Sequence, residues 1–228
     1  MAKDRALRWT VLFATLLALA CVGQADGRNL ARYDFDRSDR LTNAQDFAPW
    51  VDLLARQAAE QPILDDCLAD QERCPMYLRG YRAIMLAAPR MPRADQLTLV
   101  NRFIDRRKWR NPNATDMRWQ SLAAFLREGG NCKDFATAKY FMLRGLGFNA
   151  DELRVVVARE IGKMSHHAFL AVRHGPAMQL FDADNLVYTG NLHGDYDFLY
   201  SINEIALWDH KLAAEGIAGA PTMTVGAR

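Results

Sequence analysis

The hydrophobic period of the chain changes near residue 150, and this change constrains the fold more than any other feature. Before it, apolar residues recur every three or four positions, which predicts amphipathic helices. After it, β-branched and apolar runs predict strands. The first predicted helix is capped by Thr42 or Asn43 and has apolar residues from Phe47 to Ala58. Four more predicted helices cover 76–87, 93–108, a segment around Trp119 to Leu126, and 132–146. The predicted strands are 153–158, 167–172, 178–183 and an edge strand at 198–202, followed by a short helix at 204–213.

These elements predict an α+β fold in which a helical N-terminal half packs on an antiparallel sheet. Alternate residues of a strand share a face, which groups His167 with Phe169 and Ala171, and Asp182 with Leu180. If the hairpin register joins the two groups, His167 and Asp182 lie on neighbouring strands. We expect that face to be the one covered by the helix that begins at residue 132.

The N-terminus has the features of an export signal. Basic residues within 3–8 precede an apolar run at 9–22, which is too short to be typical of a membrane-spanning helix. Cleavage after Ala25 or Ala20 would release a soluble periplasmic protein, and this is the route we expect. Lipidation of Cys21 is the alternative, but Ala18 is a poor first residue for a lipobox.

The mature chain is expected to form one domain. Removing residues 1–25 from 228 leaves 203, which is enough for a single well-packed core at 26–228 centred on about 95–210. Three basic residues and one acidic residue leave with the signal, so the formal charge falls from +2 to zero. A charge near zero does not favour nucleic acid as a partner, and the sequence shows no basic stripe with interleaved aromatic residues.

The cysteines divide into a pair and a single thiol. Cys67 and Cys74 flank a short polar loop, and in an oxidising compartment we expect them to form a disulfide. Cys132 is then left unpaired in the mature chain. Cys-x-x-Cys and His-x-x-x-His spacings are absent from the sequence, so the cysteines do not indicate a metal site.

Cys132, His167 and Asp182 form a candidate catalytic set. Cys132 lies in the first turn of a predicted helix, where the helix dipole favours a thiolate. His167 opens one apolar run and Asp182 closes the next. These residue types can supply a nucleophile, its base and the group that orients the base. The alternative is a buried structural cysteine, which is the usual role of a free cysteine.

The segment 129–147 resembles the bacterial transglutaminase-like cysteine peptidases of the LapG type. That family places its cysteine in Gly-Asp-Cys-Glu-Asp-[Tyr/Phe]-Ala and follows it with Ala-Lys-Tyr and Leu-Gly. Here the matching segment is Gly-Gly-Asn-Cys-Lys-Asp-Phe-Ala, followed by Ala138-Lys139-Tyr140. The family's His-[Ala/Met]-x-Leu matches 167–170, and its Leu-Asp-Asn-Leu is matched in part by 180–182 and in part by 184–186. Upstream, Val100-Asn101, Asp116 and Trp119 also resemble the family, so the likeness covers about 95–190.

The resemblance implies a papain-like transglutaminase core and a periplasmic thiol peptidase. Family members cut a large surface adhesin near its N-terminus to release a biofilm, and an inner-membrane receptor for cyclic-di-GMP restrains them. The likeness selects His167 over the adjacent His166. It leaves Asp184 as the alternative to Asp182, and Trp119 as either a second oxyanion donor or a core residue.

Two family acids that flank the cysteine and contribute to a calcium site are replaced here. The corresponding residues are Asn131 and Lys133, and a lysine brings positive charge to the place of the ion. Asp134 remains. We therefore expect calcium binding to be lost or much weakened, with no other cofactor. Two functional alternatives remain open: acyl transfer to an amine, and a non-catalytic binding module on the same fold.

Overall fold

The computed structural model describes residues 39–111, 118–161, 163, 165–175, 177–189 and 196–210. The predicted signal, Cys21 and Asp116 lie outside the described residues. Within these ranges, no helix combines the length and the apolar character needed to cross a membrane.

The helices of the N-terminal half are present where the apolar period predicts them, but the cap predicted at Thr42 or Asn43 is misplaced. Both residues lie in a strand, Asn43 precedes a 3-10 turn at Ala44–Asp46, and the first α-helix begins at Ala48. The bounds of the helices are Ala48–Ala69 (α1), Arg79–Ala87 (α2), Arg93–Ile104 (α3), Leu122–Glu128 (α4) and Cys132–Gly145 (α5). Short 3-10 turns precede α1 and flank α2 on both sides. The predicted disulfide between Cys67 and Cys74 is also present and joins the end of α1 to the loop after it.

The strands form one antiparallel sheet, which confirms the predicted α+β class. Their bounds are Asp39–Asn43 (β1), Leu153–Glu160 (β2), Ser165–His174 (β3), Ala177–Phe181 (β4), Val187–Thr189 (β5), Tyr196–Ile202 (β6) and Ala206–Asp209 (β7). The order across the sheet is β1-β7-β6-β2-β3-β4-β5.

Two predictions about the end of the chain are wrong. The segment predicted as an edge strand lies inside the sheet, because β6 pairs with β2 on one side and β7 on the other. The segment predicted as a helix at 204–213 contains β7 instead, which pairs with β1 and β6; its last three residues lie outside the described ranges. These tertiary pairings override the local preference of a short segment.

The two faces of the sheet bury different clusters. Ala168, Leu170 and Val172 of β3 belong to the large core that includes the buried residues of α5. Phe169 and Ala171 belong to a smaller cluster on the opposite face. The expectation that α5 covers the face of Phe169 and Ala171 is therefore wrong: α5 packs on the other face.

Candidate active site

Two glycines shape the backbone immediately before α5. Gly129 has a φ of 75°, a conformation that L side chains rarely adopt, and a Cβ there would lie 2.1 Å from the carbonyl oxygen of Lys108. Gly130 donates its N–H to the same oxygen at 3.1 Å and accepts from the N–H of Arg110 at 2.8 Å. A Cβ on Gly130 would lie 2.5 Å from Cβ of Asp134. The glycines therefore let the loop close tightly on the first turn of α5.

Asp134 fixes this first turn from inside the protein. Its carboxylate accepts the N–H of Asn131 at 3.1 Å and the N–H of Gln120 at 2.9 Å. Lys133 Nζ lies 3.5 Å from the same carboxylate and 3.2 Å from Oδ1 of Asn131. Burial raises the pKa of Asp134, and the Lys133 charge and the two N–H groups oppose this rise. The result is a helix start held by one buried acid and one adjacent ammonium group.

Cys132, His167 and Asp182 are brought together at one site. His167 Nε2 lies 2.6 Å from Oδ1 of Asp182. Cys132 lies close enough to this ring to contribute to the raised pKa of His167, and because Nε2 contacts Asp182, Nδ1 is the nitrogen open to the sulfur. Cys132 is a free, partly exposed thiol, while Asp182 is buried. Cys132 is the first residue of α5. It can therefore approach His167 from the end of the helix, although the rest of α5 packs on the other face of the sheet.

The surroundings of His167 favour the imidazolium form. Burial disfavours the charge, but hydrogen bonds and attraction to Asp182 and Cys132 outweigh burial and raise the pKa of His167 to about 10. The ring packs edge-on against Phe169, with centroids 4.6 Å apart, and lies 5.8 Å from the ring of Tyr196. This arrangement favours a protonated imidazole between Cys132 and the Asp182 carboxylate.

The competing residues lie elsewhere. His166 is exposed on β3, as expected for the residue adjacent to His167 in a strand. Asp184 is exposed and follows Asp182 in a tight turn. Trp119 is 6% exposed and packs edge-on against Trp50, with centroids 5.8 Å apart. The geometry thus favours Asp182 over Asp184 as the partner of His167, and places Trp119 in the core.

Sequence reasoning missed a buried ion pair behind the site. Lys139 Nζ lies 2.7 Å from Oδ1 of Asp105, and the two side chains are 2% and 0% exposed. Lys139 also donates to the carbonyl oxygen of Asp182. The signal for Lys139 was a charged residue within the mostly apolar run 135–143 of α5. Asp105 carried no signal, because it follows α3 in a segment with several charged residues.

The residues at the start of α5 do not fit a calcium ion. The Asp134 carboxylate is already satisfied by two N–H groups and a nearby ammonium, whereas calcium requires six to eight oxygen ligands. Within the described part of the chain, no group of three or more His, Cys, Asp or Glu side chains could hold a metal.

The chain matches no family model and has no significant match among curated protein sequences. It does resemble solved structures of LapG from Legionella pneumophila. The calcium-bound form is 25% identical, with a TM-score of 0.55 and coverage of 66% of this chain and 84% of LapG. A second LapG structure is 25% identical with a TM-score of 0.56, covering 66% of this chain and 87% of that chain. This chain has a LapG-like fold. The resemblance and the transglutaminase-like class predicted from the cysteine segment are confirmed.

An EGTA-treated LapG structure shows the same fold. It is 24% identical, with a TM-score of 0.57 and coverage of 68% of this chain and 87% of that chain. LapG has thus been solved both with calcium and after EGTA treatment, and both forms resemble this chain.

Proposed function

We propose that the chain is a periplasmic thiol endopeptidase with Cys132 as nucleophile, His167 as base and Asp182 as the group that orients the base. The observation that carries the proposal is the grouping of the three residues at one site: His167 Nε2 lies 2.6 Å from Oδ1 of Asp182, and Cys132 contributes to the raised pKa of His167. The LapG-like fold supports the same chemistry. The basic and apolar leader of the sequence supports export.

In the first half of the reaction, Nδ1 of His167 holds the proton taken from the Cys132 thiol, and the resulting thiolate attacks a peptide carbonyl carbon. The carbonyl oxygen becomes an oxyanion. The first N–H groups of a helix lack partners within it, so the backbone N–H of Cys132 is available to donate to this oxyanion. The imidazolium then protonates the leaving amine as the C–N bond breaks, which leaves a thioester on Cys132.

In the second half, His167 accepts a proton from water, and the resulting hydroxide attacks the thioester carbon. Collapse of the intermediate expels the thiolate and releases the acid. Asp182 keeps Nε2 engaged throughout, so Nδ1 always faces the sulfur.

The LapG likeness also indicates the substrate and its control. We extend the proposal to cleavage of a large surface adhesin near its N-terminus, which would release a biofilm. An inner-membrane receptor for cyclic-di-GMP would restrain the enzyme. These assignments rest on the resemblance alone.

Calcium is not part of the proposed mechanism. Lys133 Nζ lies against Asn131 and Asp134, so an ammonium group supplies positive charge at the start of α5. We propose that this side chain takes over the structural role of a cation there and that calcium binding is lost.

A peptide library tests the function. The mature chain is incubated with a proteome-derived peptide library and a labelled amine, with Cys132→Ala as the control. New N-termini are sequenced, and incorporation of the amine is measured. New termini that depend on Cys132 are the expected result. Incorporation of a labelled amine without cleavage would instead indicate acyl transfer, and neither reaction would indicate a binding module.

A further inference from the structure

A buried ion pair lies directly behind the proposed catalytic aspartate, and the mechanism above does not use it. Lys139 of α5 is 1% exposed and pairs with Asp105, which follows α3. Burial raises the pKa of Asp105 and lowers the pKa of Lys139, and the charge of each partner opposes the shift of the other. Two buried charges of this kind persist only when each satisfies the other.

Both members of the pair hold the segment 182–186. Lys139 Nζ donates to the carbonyl oxygen of Asp182, and Oδ2 of Asp105 accepts the N–H of Asn185 at 2.9 Å. The pair therefore binds the segment at two points three residues apart. Its two charges hold both a carbonyl and an N–H group of the same turn.

The turn needs this support. Asp184 and Asn185 have φ angles of 62° and 61°, in the left-handed region that costs energy for residues other than glycine. The N–H of Asp182 donates to the carbonyl oxygen of Leu186 at 3.0 Å and closes the turn. The N–H of Ala183 donates to Oδ1 of Asp182 at 2.7 Å. The orientation of the Asp182 carboxylate is thus coupled to the backbone of the turn that the ion pair holds.

We propose that Lys139 and Asp105 are positioning residues that hold segment 182–186 so that Oδ1 of Asp182 faces Nε2 of His167. Neither residue contacts the sulfur or the imidazole in the described structure, so each acts through Asp182. A hydrophobic pair of similar volume can often replace a buried ion pair without loss of stability. Such a replacement keeps the packing and removes the directed contacts. The role of the pair in the reaction rests on the proposed function, but its effect on His167 does not.

The test compares Lys139→Met/Asp105→Leu with the wild-type mature chain. The primary measurement is the NMR titration of the His167 ring, assigned from the signal that is absent in His167→Ala. We expect the double variant to retain the native fold. We expect the midpoint of its His167 titration to lie about one pH unit or more below that of wild type, because the imidazolium loses part of its interaction with the Asp182 carboxylate. Asp182→Asn supplies the reference for complete loss of that contact.

A second ion pair on the same helix is the matched control. Arg144 Nη2 lies 2.9 Å from Oε2 of Glu204, far along α5 from Cys132. We expect Arg144→Met/Glu204→Leu to change the melting temperature without moving the His167 titration. A His167 midpoint in Lys139→Met/Asp105→Leu equal to that of wild type would overturn the positioning role.

Turnover gives the second readout. If the endopeptidase is active, Lys139→Met/Asp105→Leu should lower kcat at least about tenfold while KM changes little, because the substrate does not contact the pair. A wild-type chain that cleaves nothing would refute the proposed function and leave the titration result intact. The two failures are therefore distinguishable. Should the double variant not fold, Lys139→Met/Asp105→Asn, a neutral pair that keeps the side-chain volume at 105, replaces it in the same titration.

Discussion

Asp182 and Asp184 lie two residues apart, yet their environments differ. Asp182 is buried against the ring of His167, and Asp184 is exposed in the turn that follows. The sequence could predict that one of them partners the histidine, because both match the family's Leu-Asp-Asn-Leu element in part. It could not choose firmly between them, because the choice depends on where β4 ends and where the turn begins.

Substitution of the two aspartates should separate their roles. We expect Asp182→Asn to lower kcat/KM by roughly 10²- to 10⁴-fold, since the amide can no longer stabilise the imidazolium. Asp184→Asn should stay within about twofold of wild type, since its side chain is exposed. Steady-state cleavage of a peptide from the library measures both. Equal losses in the two variants would contradict the assignment of Asp182.

The raised pKa of His167 predicts how stability depends on pH. The folded-state pKa of about 10 lies above the unfolded value near 6.5. The folded protein therefore holds a proton that unfolding releases within this interval. The His167 contribution is complete below about pH 6.5 and is lost as the pH rises towards 10. Because a cysteine thiol in the unfolded chain takes the proton back below its ordinary pKa of about 8.5, the steepest loss, up to about 1.4 kcal/mol per pH unit, falls above that pH. Urea unfolding at several pH values should show this fall, and His167→Ala should remove it.

At the scale of elements, helix α5 was the most predictable part of the chain. The glycines before it and the mostly apolar sequence within it agree with one another, so its bounds, predicted as 132–146, lie within one residue of those observed. Strand β3 was predictable in place but not in orientation. Residues 168–172 are buried on both faces, and a continuous apolar run does not show which face a helix covers. The short strands β1, β5 and β7 have too few residues to show a period, and β7 was mistaken for part of a helix.

The first turn of α5 should be independent of calcium. We expect EGTA to leave the melting temperature and activity unchanged. Lys133→Met should lower the free energy of unfolding by about 1–3 kcal/mol, because the buried Asp134 loses its nearby cation. Added calcium should not restore it. Differential scanning calorimetry measures the effects on stability, and peptide cleavage measures the activity.

Restoring the family's acids provides the matched variant. Asn131→Asp/Lys133→Glu places two more carboxylates beside Asp134, and we expect its melting temperature to rise with calcium and fall with EGTA. A large effect of EGTA on the wild-type chain would contradict the replacement of the ion by Lys133.

For the whole molecule, the LapG-like fold could be predicted from the cysteine segment at 129–147. The order of the three candidate residues supported it, because Cys132 lies in the helical half and His167 and Asp182 lie in the strands that follow. The positioning pair could not be predicted, because Asp105 and Lys139 meet only when α3 and α5 pack together. Their contact is a property of the tertiary structure rather than of any local pattern.

Export should be visible in the thiols of the mature chain. Four cysteines minus Cys21 leave three, and the Cys67–Cys74 disulfide leaves one free. We expect intact mass after alkylation without reduction to show one modified thiol in protein isolated from the periplasm. Protein made in the cytoplasm without its leader should show three, because that compartment keeps thiols reduced. Three free thiols in the exported chain would contradict the predicted redox environment.

The reactivity of the Cys132 thiol tests the central claim most directly. The rate of iodoacetamide alkylation is measured at pH 6–7 for the wild-type mature chain and for His167→Ala, with His166→Ala as the matched control. We predict that wild type and His166→Ala react at least about tenfold faster than glutathione, because in the proposed mechanism His167 holds the proton of the Cys132 thiol. We predict that His167→Ala reacts at an ordinary thiol rate. A wild-type rate equal to that of glutathione, unchanged by loss of the His167 ring, would contradict the account.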